Sequence, residues 1–298
     1  MAWRAPKGFQ IGQNRFGHYN IVRVIHDGEK AMVYEGRHQT DGRLAAIKAY
    51  KFDYNRTALS LRKKYGIKGE GEVGMELNPP QGTPSEQHPV VITYEYGTEF
   101  GKSNTNEYIV QEFIEGVALK HLIGCSHPML AKHKTSIIRQ VCQGLQYIHG
   151  RGMIHRDFCS DNVIVSSAGR CKIIDLGFTV PKGLKFEERG GTPSYMSPEQ
   201  INADTLLFTT DIYSLGVVLY ETLTGRLPFI SGVTGDSPRE LQKRRMELME
   251  KHLREKPAPP SQLAPSVPKA LDAFVLKCLE KKPQDRFQDM KTVLAALG

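Results

Sequence analysis

The chain has 298 residues and a mass of 33.4 kDa, and its 40 Lys and Arg against 32 Asp and Glu give a formal net charge of +8. Hydrophobic residues make up 40% of the sequence, which excludes a disordered or collagen-like chain because this apolar content can form a core. The length fits one large domain or two lobes of about 100–200 residues each, and no apolar stretch approaches the roughly 18 residues of a membrane span.

The first hundred residues are predicted to be rich in strands. Alternating apolar and polar residues predict five strands, at 19–25, 31–36, 44–50, 90–96 and 107–112. Asp27-Gly28 and Asp41-Gly42 are turn signals, so the first three strands form an antiparallel meander. One helix is predicted at about 57–77, weakened by its glycines, and a loop rich in Pro, Gly, Ser and Gln follows at 78–88.

Beyond residue 116 the periodicity changes from strand to helix. Apolar residues from Ile137 to Ile148 recur at helical spacing, and the segment 212–223 is apolar nearly all round, which predicts a buried helix. The segment 237–240, Ser-Pro-Arg-Glu, predicts a helix start. Two more helices are predicted near the end of the chain, at 268–280 and 287–297. The predicted fold class is α+β, with a small antiparallel sheet lobe, a larger helical lobe, and the joint between the two lobes near 112–116.

The strongest local signal is the segment 155–162, His-Arg-Asp-Phe-Cys-Ser-Asp-Asn, which follows a long helix and precedes a strand-like Val-Ile-Val run. Asp175 ends the next predicted strand. Asp157, Asn162 and Asp175 can converge on a cation that prefers oxygen ligands. Magnesium suits so sparse a set, because it keeps waters and takes other ligands from phosphates. Taken alone, each segment can also be interpreted as an ordinary polar turn.

Six segments with recognisable sequences follow one another along the chain: Ala46-Ile47-Lys48, the 155–162 segment, Asp175-Leu176-Gly177, Gly191 to Glu199, Asp211 to Gly216, and Pro283 with Arg286. Together they resemble the eukaryotic-like (Hanks-type) protein kinase superfamily in its bacterial serine/threonine branch. The resemblance runs from about Tyr19 to the end. It implies one catalytic domain over residues 1–298 with a two-lobed protein kinase fold, divided into an extension, an N-lobe, a hinge and a C-lobe at 1–18, 19–112, 113–116 and 117–298.

The resemblance also implies ATP and Mg²⁺ as cofactors and a protein as the substrate. In-line phosphoryl transfer needs positioning and charge neutralisation more than covalent chemistry. Asp157 is then the catalytic base that accepts or orients the substrate hydroxyl. Asn162 and Asp175 hold the magnesium ions. Lys48 holds the α- and β-phosphates as a point charge, and Thr192 matches the family's threonine that bonds the catalytic aspartate.

The residues expected at the nucleotide all lie in the first lobe and the hinge: Lys48, Gly28, Val33, Ala46, Glu72, Gln111, Glu112 and Ile114. The family places a glutamate partner for Lys48 on the helix after the third strand. Candidates are Glu70, Glu72 and Glu76. We choose Glu72 because it lets the helix run on to about residue 78 before two prolines stop it, whereas Glu76 sits too near that stop.

Three departures from the family pattern have chemical consequences. Of the glycine-rich loop, which falls on residues 26–31, only Gly28 survives. Cys159 stands where the family carries a lysine that neutralises the γ-phosphate, so transfer should be slower unless another cation substitutes. A buried, inert thiol is the usual state of such a cysteine. The activation segment has no Ser or Thr at 182–191, and Glu187-Glu188, or no group at all, is predicted to take the place of the phosphate that Arg156 would receive.

Three other residues resemble structural parts of the family. Asp211 lies in an apolar helix, where its charge would be costly unless it bonds backbone groups, and it matches the residue that anchors the catalytic loop. Glu199 and Arg286 resemble a buried ion pair that fixes the activation segment to the helical lobe. We interpret all three as structural and not as catalytic.

The leading hypothesis is a protein kinase that transfers the γ-phosphate of ATP to Ser or Thr hydroxyls. A pseudokinase that binds nucleotide or a partner without efficient transfer is the alternative, and a small-molecule phosphotransferase is a third. The basic runs are short and lack interleaved aromatic residues, so we expect no nucleic-acid partner. We also expect no membrane span in this chain, because no apolar stretch is long enough. Five cysteines without a CxxC pair indicate free thiols in the cytoplasm.

Overall fold

The computed structural model describes residues 15–100 and 105–298, which fall into two compact units. The first unit comprises residues up to 78 together with 91–114, and the second comprises 79–90 with 115–298. The predicted division placed 79–90 in the first lobe. The contacts of that segment lie in the second unit, because Val90 forms a parallel bridge with Ile173 and the Ile173 amide donates to the Pro89 carbonyl at 2.9 Å.

The first unit is built on one antiparallel sheet of six strands. The strands are β1 Arg15–Phe16, β2 Tyr19–Asp27, β3 Ala31–His38, β4 Leu44–Tyr50, β5 Thr93–Phe100 and β6 Thr105–Glu112. Their spatial order is β1-β2-β3-β4-β6-β5. Alternation along β4 buries Ala45, Ile47 and Ala49 in the core of this unit. Ala46 and Lys48 therefore lie on the opposite face of the sheet.

Two helices of the first unit replace the single helix predicted at 57–77. They are α1 Phe52–Tyr65 and α2 Glu70–Glu76. Gly66 ends α1 in the left-handed conformation, with φ 62°, which glycine adopts at little cost. The strand predicted at 90–96 is also shifted, since β5 begins at Thr93.

The second unit is mainly helical. Its helices are α3 Leu119–Gly124, α4 Pro128–Gly150, α5 Pro198–Ile201, α6 Phe208–Thr224, α7 Pro238–Arg254, α8 Pro260–Leu263, α9 Lys269–Cys278 and α10 Met290–Leu297. Its short strands are β7 Val117–Ala118, β8 Met153–Ile154, β9 Val163–Val165, β10 Cys171–Ile173 and β11 Val180–Pro181. The predicted α+β class is confirmed. Within the described ranges, no helix is both long and apolar enough to cross a membrane.

Two predicted helices of the second unit are confirmed in detail. Almost every residue of α6 is buried, as its all-round apolar sequence requires. Helix α7 begins after Ser237, whose hydroxyl accepts from the Glu240 amide while the Glu240 side chain accepts from the Ser237 amide.

Candidate active site

Lys48 forms an ion pair within the first unit. Its ammonium donates to both carboxylate oxygens of Glu70, at 3.2 and 2.9 Å. The Glu70 side chain is fully buried and that of Lys48 is 18% exposed. A buried carboxylate needs such partners, because an unpaired charge there would be costly. Tyr50, two residues after Lys48 on the same face of β4, also donates its hydroxyl to Glu70.

The predicted partner of Lys48, Glu72, is wrong. The chain restarts a helix after Gly69, and the Glu72 carboxylate accepts from the Gly69 amide at 2.8 Å. A glutamate three residues after an N-cap reaches back to it, so the Glu72 carboxylate caps the start of α2. Glu70, at the first position of α2, takes the place of the predicted residue.

For the phosphoryl transfer that the resemblance implies, replacing Glu70 by Gln should lower the rate about 10-fold, because the side chain keeps its shape but Lys48 loses its charged partner. Steady-state kinetics at saturating substrate would measure this loss. Glu72→Gln is the matched control, since glutamine also completes a capping box. A larger loss in Glu72→Gln than in Glu70→Gln would contradict the pairing seen here.

The sheet brings together several residues expected at the nucleotide. Lys48 pairs with Val33 across β3 and β4, and Ala46 pairs with Gln111 across β4 and β6. Residues directly opposite in an antiparallel ladder share a face, so these four side chains lie on the face away from the core. The Glu112 carboxylate accepts from the Ile92 amide at 2.8 Å, so it serves the fold of this unit.

The turn between β2 and β3 carries Gly28. It is a tight hairpin in which the Gly28 amide donates to the Ala31 carbonyl at 3.0 Å. A Cβ built on Gly28 would lie 3.0 Å from Nε2 of His26. The His26 ring thus covers the glycine. Ile114, the last of the expected nucleotide residues, ends the first unit just beyond β6.

In the second unit, Asp157 is held by one of its two carboxylate oxygens. Oδ1 accepts from the amide and from the hydroxyl of Thr192, each at 2.8 Å. Among the described residues, no donor reaches Oδ2. Asp157 is nearly buried, with 8% exposure. The arrangement orients a carboxylate and leaves one oxygen to accept a proton from a substrate hydroxyl.

Asn162 and Asp175 lie at adjoining ends of β9 and β10. Val163 pairs with Ile173, and the Ile174 amide donates to the Asn162 carbonyl at 2.9 Å. Asn162 Nδ2 donates to the Asp157 carbonyl at 2.9 Å, so its side-chain oxygen is the atom left for a cation. Asp175 adopts the left-handed conformation, with φ 59°. Strained backbone of this kind clusters at functional sites.

This pair of oxygen donors fits magnesium. Among the described residues, no group of three or more His, Cys, Asp and Glu side chains could hold a metal ion by itself. Magnesium needs only one or two protein ligands when a polyphosphate supplies others. Asn162 and Asp175 would therefore hold the ion and neutralise phosphate charge through it.

Comparison with known proteins agrees with this geometry. The model of the protein kinase domain family matches residues 19–296. The chain belongs to the protein kinase domain family.

Relatives of this kinase domain include bacterial serine/threonine kinases, as the resemblance predicts. It is 35% identical over 224 residues to serine/threonine-protein kinase PknB of Mycobacterium tuberculosis, covering 73% of this chain and 34% of the relative. A probable PknB of Lactococcus lactis is 30% identical over 292 residues, covering 96% of this chain and 42% of that protein. A probable serine/threonine-protein kinase of Streptomyces coelicolor is also 30% identical, over 278 residues, covering 91% and 38%. The chain thus spans between about a third and two fifths of their lengths.

The catalytic loop of the kinase domain is anchored by Asp211, as predicted. Its carboxylate accepts from the amides of His155 and Arg156 at 2.8 and 2.9 Å. His149 Nε2 lies 2.8 Å from the same group. These bonds compensate a charge that is wholly buried in α6. They also hold Arg156 in a left-handed conformation, with φ 66°.

A buried triad that sequence reasoning missed ties this loop to two other segments. Ser160 Oγ donates to Glu221 Oε2 at 2.7 Å, and Tyr195 Oη donates to the same oxygen at 2.7 Å. Ser160 and Tyr195 oxygens are 2.9 Å apart. The sequence signal is a serine inside the 155–162 segment together with a glutamate in an otherwise apolar helix.

Arg156 contacts the middle of the activation segment. Its guanidinium lies over the Phe186 ring, 3.8 Å from the centroid, and Nη2 donates to the Glu188 carbonyl at 3.1 Å. Sequence reasoning considered only the acidic side chains here and missed the aromatic ring. Thr179, one of the few hydroxyl residues in the activation segment, is buried. That the acidic pair replaces phosphate remains a prediction.

His252, on α7, supports the activation segment. Its Nε2 lies 3.0 Å from the Ser194 carbonyl and its Nδ1 lies 2.9 Å from Tyr213 Oη. Burial, together with the charge of Lys281, lowers the pKa of His252 to about 3. The imidazole is therefore neutral in the folded protein over the physiological range.

The kinase domain should lose stability as the pH falls from about 6.5 towards 3. The unfolded chain binds a proton at His252 near its ordinary pKa of about 6.5, whereas the folded chain does not until about 3. The free energy of unfolding should drop by about 2 kcal/mol between pH 7.5 and 5 from this group. Urea unfolding of the parent and of His252→Gln at both pH values measures it. Parallel pH profiles of the two proteins would refute the assignment.

Proposed function

We propose that this chain is an ATP-dependent protein kinase that phosphorylates Ser or Thr hydroxyls of protein substrates. The observation that carries the proposal is the orientation of Asp157 by Thr192 in the catalytic loop. A base held in this way by one oxygen suits proton acceptance from a hydroxyl. The names of the relatives, serine/threonine kinases, support the same choice of hydroxyl.

The proposed reaction is an in-line displacement. A bond forms between the substrate hydroxyl oxygen and the γ-phosphorus, and the bond from that phosphorus to the β,γ-bridging oxygen breaks, so ADP leaves. The hydroxyl proton passes to Oδ2 of Asp157. Lys48, oriented by Glu70, binds the α- and β-phosphates, and Asn162 with Asp175 binds Mg²⁺.

The cysteines support a cytoplasmic location. All five are free, and four of them are buried, including Cys142 and Cys278 in the helical unit. Free thiols of this kind persist in a reducing compartment. We therefore place the kinase in the cytoplasm.

The test is transfer by the whole chain. We would incubate it with magnesium, γ-labelled ATP and dephosphorylated casein, with an EDTA-treated sample as control, and identify the labelled amino acids. Label on serine and threonine is expected. Label on tyrosine alone, or only on a sugar or an antibiotic offered in parallel, would contradict the proposal.

A pseudokinase is the second candidate, favoured by Cys159 and by the His26 ring over Gly28. It predicts that Mg²⁺-ATP raises the melting temperature while no label is transferred. The casein assay and a thermal shift on the same preparation separate the two functions.

A further inference from the structure

The catalytic loop has a cysteine where the family carries a lysine, so it lacks the positive charge of that lysine. Charge spreads over the three equatorial oxygens of the transferring phosphoryl group, and a nearby cation lowers the barrier. Cys159 occupies the lysine position, and it is only 2% exposed. Burial, with the charge of Asp157 nearby, raises the pKa of its thiol to about 12. Cys159 is therefore a neutral thiol, and neither protonation state of a thiol carries the positive charge that a lysine would supply.

Arg156 is not placed to neutralise the transferring phosphoryl group. Its guanidinium packs on Phe186 and donates to the Glu188 carbonyl, so it is bound to the activation segment. Moving it to a phosphate would break both contacts.

Lys120 brings an ammonium group to the loop from α3. That helix packs against the 160–162 turn of the catalytic loop. Lys120 Nζ lies 3.0 Å from Asp161 Oδ2 and 5.9 Å from the centroid of the Tyr195 ring. Burial alone would lower the pKa of Lys120, but the hydrogen bond and charge of Asp161, with further negative charge from Glu221, raise it. The side chain therefore stays cationic beside Cys159.

We propose that Lys120 replaces the missing catalytic-loop lysine and contacts the transferring phosphoryl group. This inference rests on the proposed function. The Lys120–Asp161 pair is about half exposed on both sides, with 45% and 54% exposure, and exposed ion pairs hold their partners weakly. The ammonium can thus leave Asp161 for a more highly charged phosphoryl group. The flexible lysine side chain permits this movement, and Asp161 keeps the group close to the loop before substrate binds.

The kinetic test compares the parent with three variants at Lys120 and with one control variant elsewhere. Lys120→Met should lower kcat for casein phosphorylation by about 100-fold with little change in KM for ATP, as for loss of a group that acts in the transition state. Lys120→Arg should keep most of the activity. Lys120→Met combined with Cys159→Lys should recover kcat, because the cation returns from the family position. Lys251→Met is the matched control, since that lysine pairs with Glu247 on α7.

A second measurement does not depend on turnover. ADP with magnesium and aluminium fluoride mimics the transferring phosphoryl group, and it should raise the melting temperature of the parent more than ADP with magnesium does. Lys120→Met should lose this extra shift while keeping the shift with ADP. If the parent is active and Lys120→Met keeps both the parental kcat and the extra shift in melting temperature, the proposed role of Lys120 is wrong. The proposed function would not be affected by that result. A parent that transfers no phosphate would overturn the proposed function and this inference with it.

Discussion

Asp157→Asn should lower phosphoryl transfer by about 10³-fold, while the fold stays intact. A positioned general base contributes about 10²–10⁴ in rate. The asparagine amide oxygen can still accept from the Thr192 amide and hydroxyl, which in the parent bind Oδ1. Only the charge and the proton acceptor at the second oxygen are lost. The loss should therefore fall on kcat rather than on the binding of ATP.

Steady-state assays on casein, with melting temperatures for each protein, measure this effect. Asp236→Asn is the control, because its side chain is 91% exposed on the surface. Transfer by Asp157→Asn at more than a tenth of the parental kcat would show that another group accepts the proton.

Arg286→Met should destabilise the second unit by about 3–5 kcal/mol, the cost of leaving one partner of a buried ion pair uncompensated. Arg286 donates to Glu199 at 2.8 and 2.9 Å through its two terminal nitrogens. Its other bonds go to three main-chain carbonyls, those of Thr209, Glu280 and Lys281. All five donors of the guanidinium are thus used. Lysine cannot reproduce the planar, forked set of donors of the guanidinium, so Arg286→Lys should be destabilised nearly as much as Arg286→Met.

Urea unfolding of the single variants and of Glu199→Gln combined with Arg286→Met gives the coupling energy of the pair. The double variant should be less destabilised than the sum of the single ones. Arg254→Met, which removes an exposed pair with Glu250, is the control and should change stability little. Equal stability of the parent and Arg286→Met would contradict the buried pair as an anchor.

Sequence patterns predicted the antiparallel meander that became β2, β3 and β4, and they predicted the segments of the catalytic loop, because both depend on local order. The strand predicted at 44–50 contains Lys48, and the order of the motifs assigned Asp157 to the catalytic loop. The partner of Lys48 could not be predicted in the same way. Its choice depends on where the helix restarts, and a continuous helix through Gly66 and Gly69 would present a different face to the sheet.

Contacts between segments far apart in the chain were also beyond sequence reasoning. Lys120 and Asp161 are 41 residues apart, and Ser160 and Glu221 are 61 apart. No local period connects such residues. The sequence pattern can place each of these residues on a helix or in a loop. Only the packing of α3 and α6 against the catalytic loop determines which of their side chains are in contact.

The glycines of α2 restrict the direction in which that helix can be displaced. Cβ atoms added at Gly71 and Gly74 would collide with Tyr96 and Thr93 on β5, so the helix backbone already rests on the strand with no side chain of its own between them. The helix cannot approach the sheet further and can only recede from it. Any such outward displacement lengthens the distance from Lys48 to Glu70. The contact between the backbone of α2 and strand β5 therefore sets the shortest distance at which Glu70 can lie from Lys48.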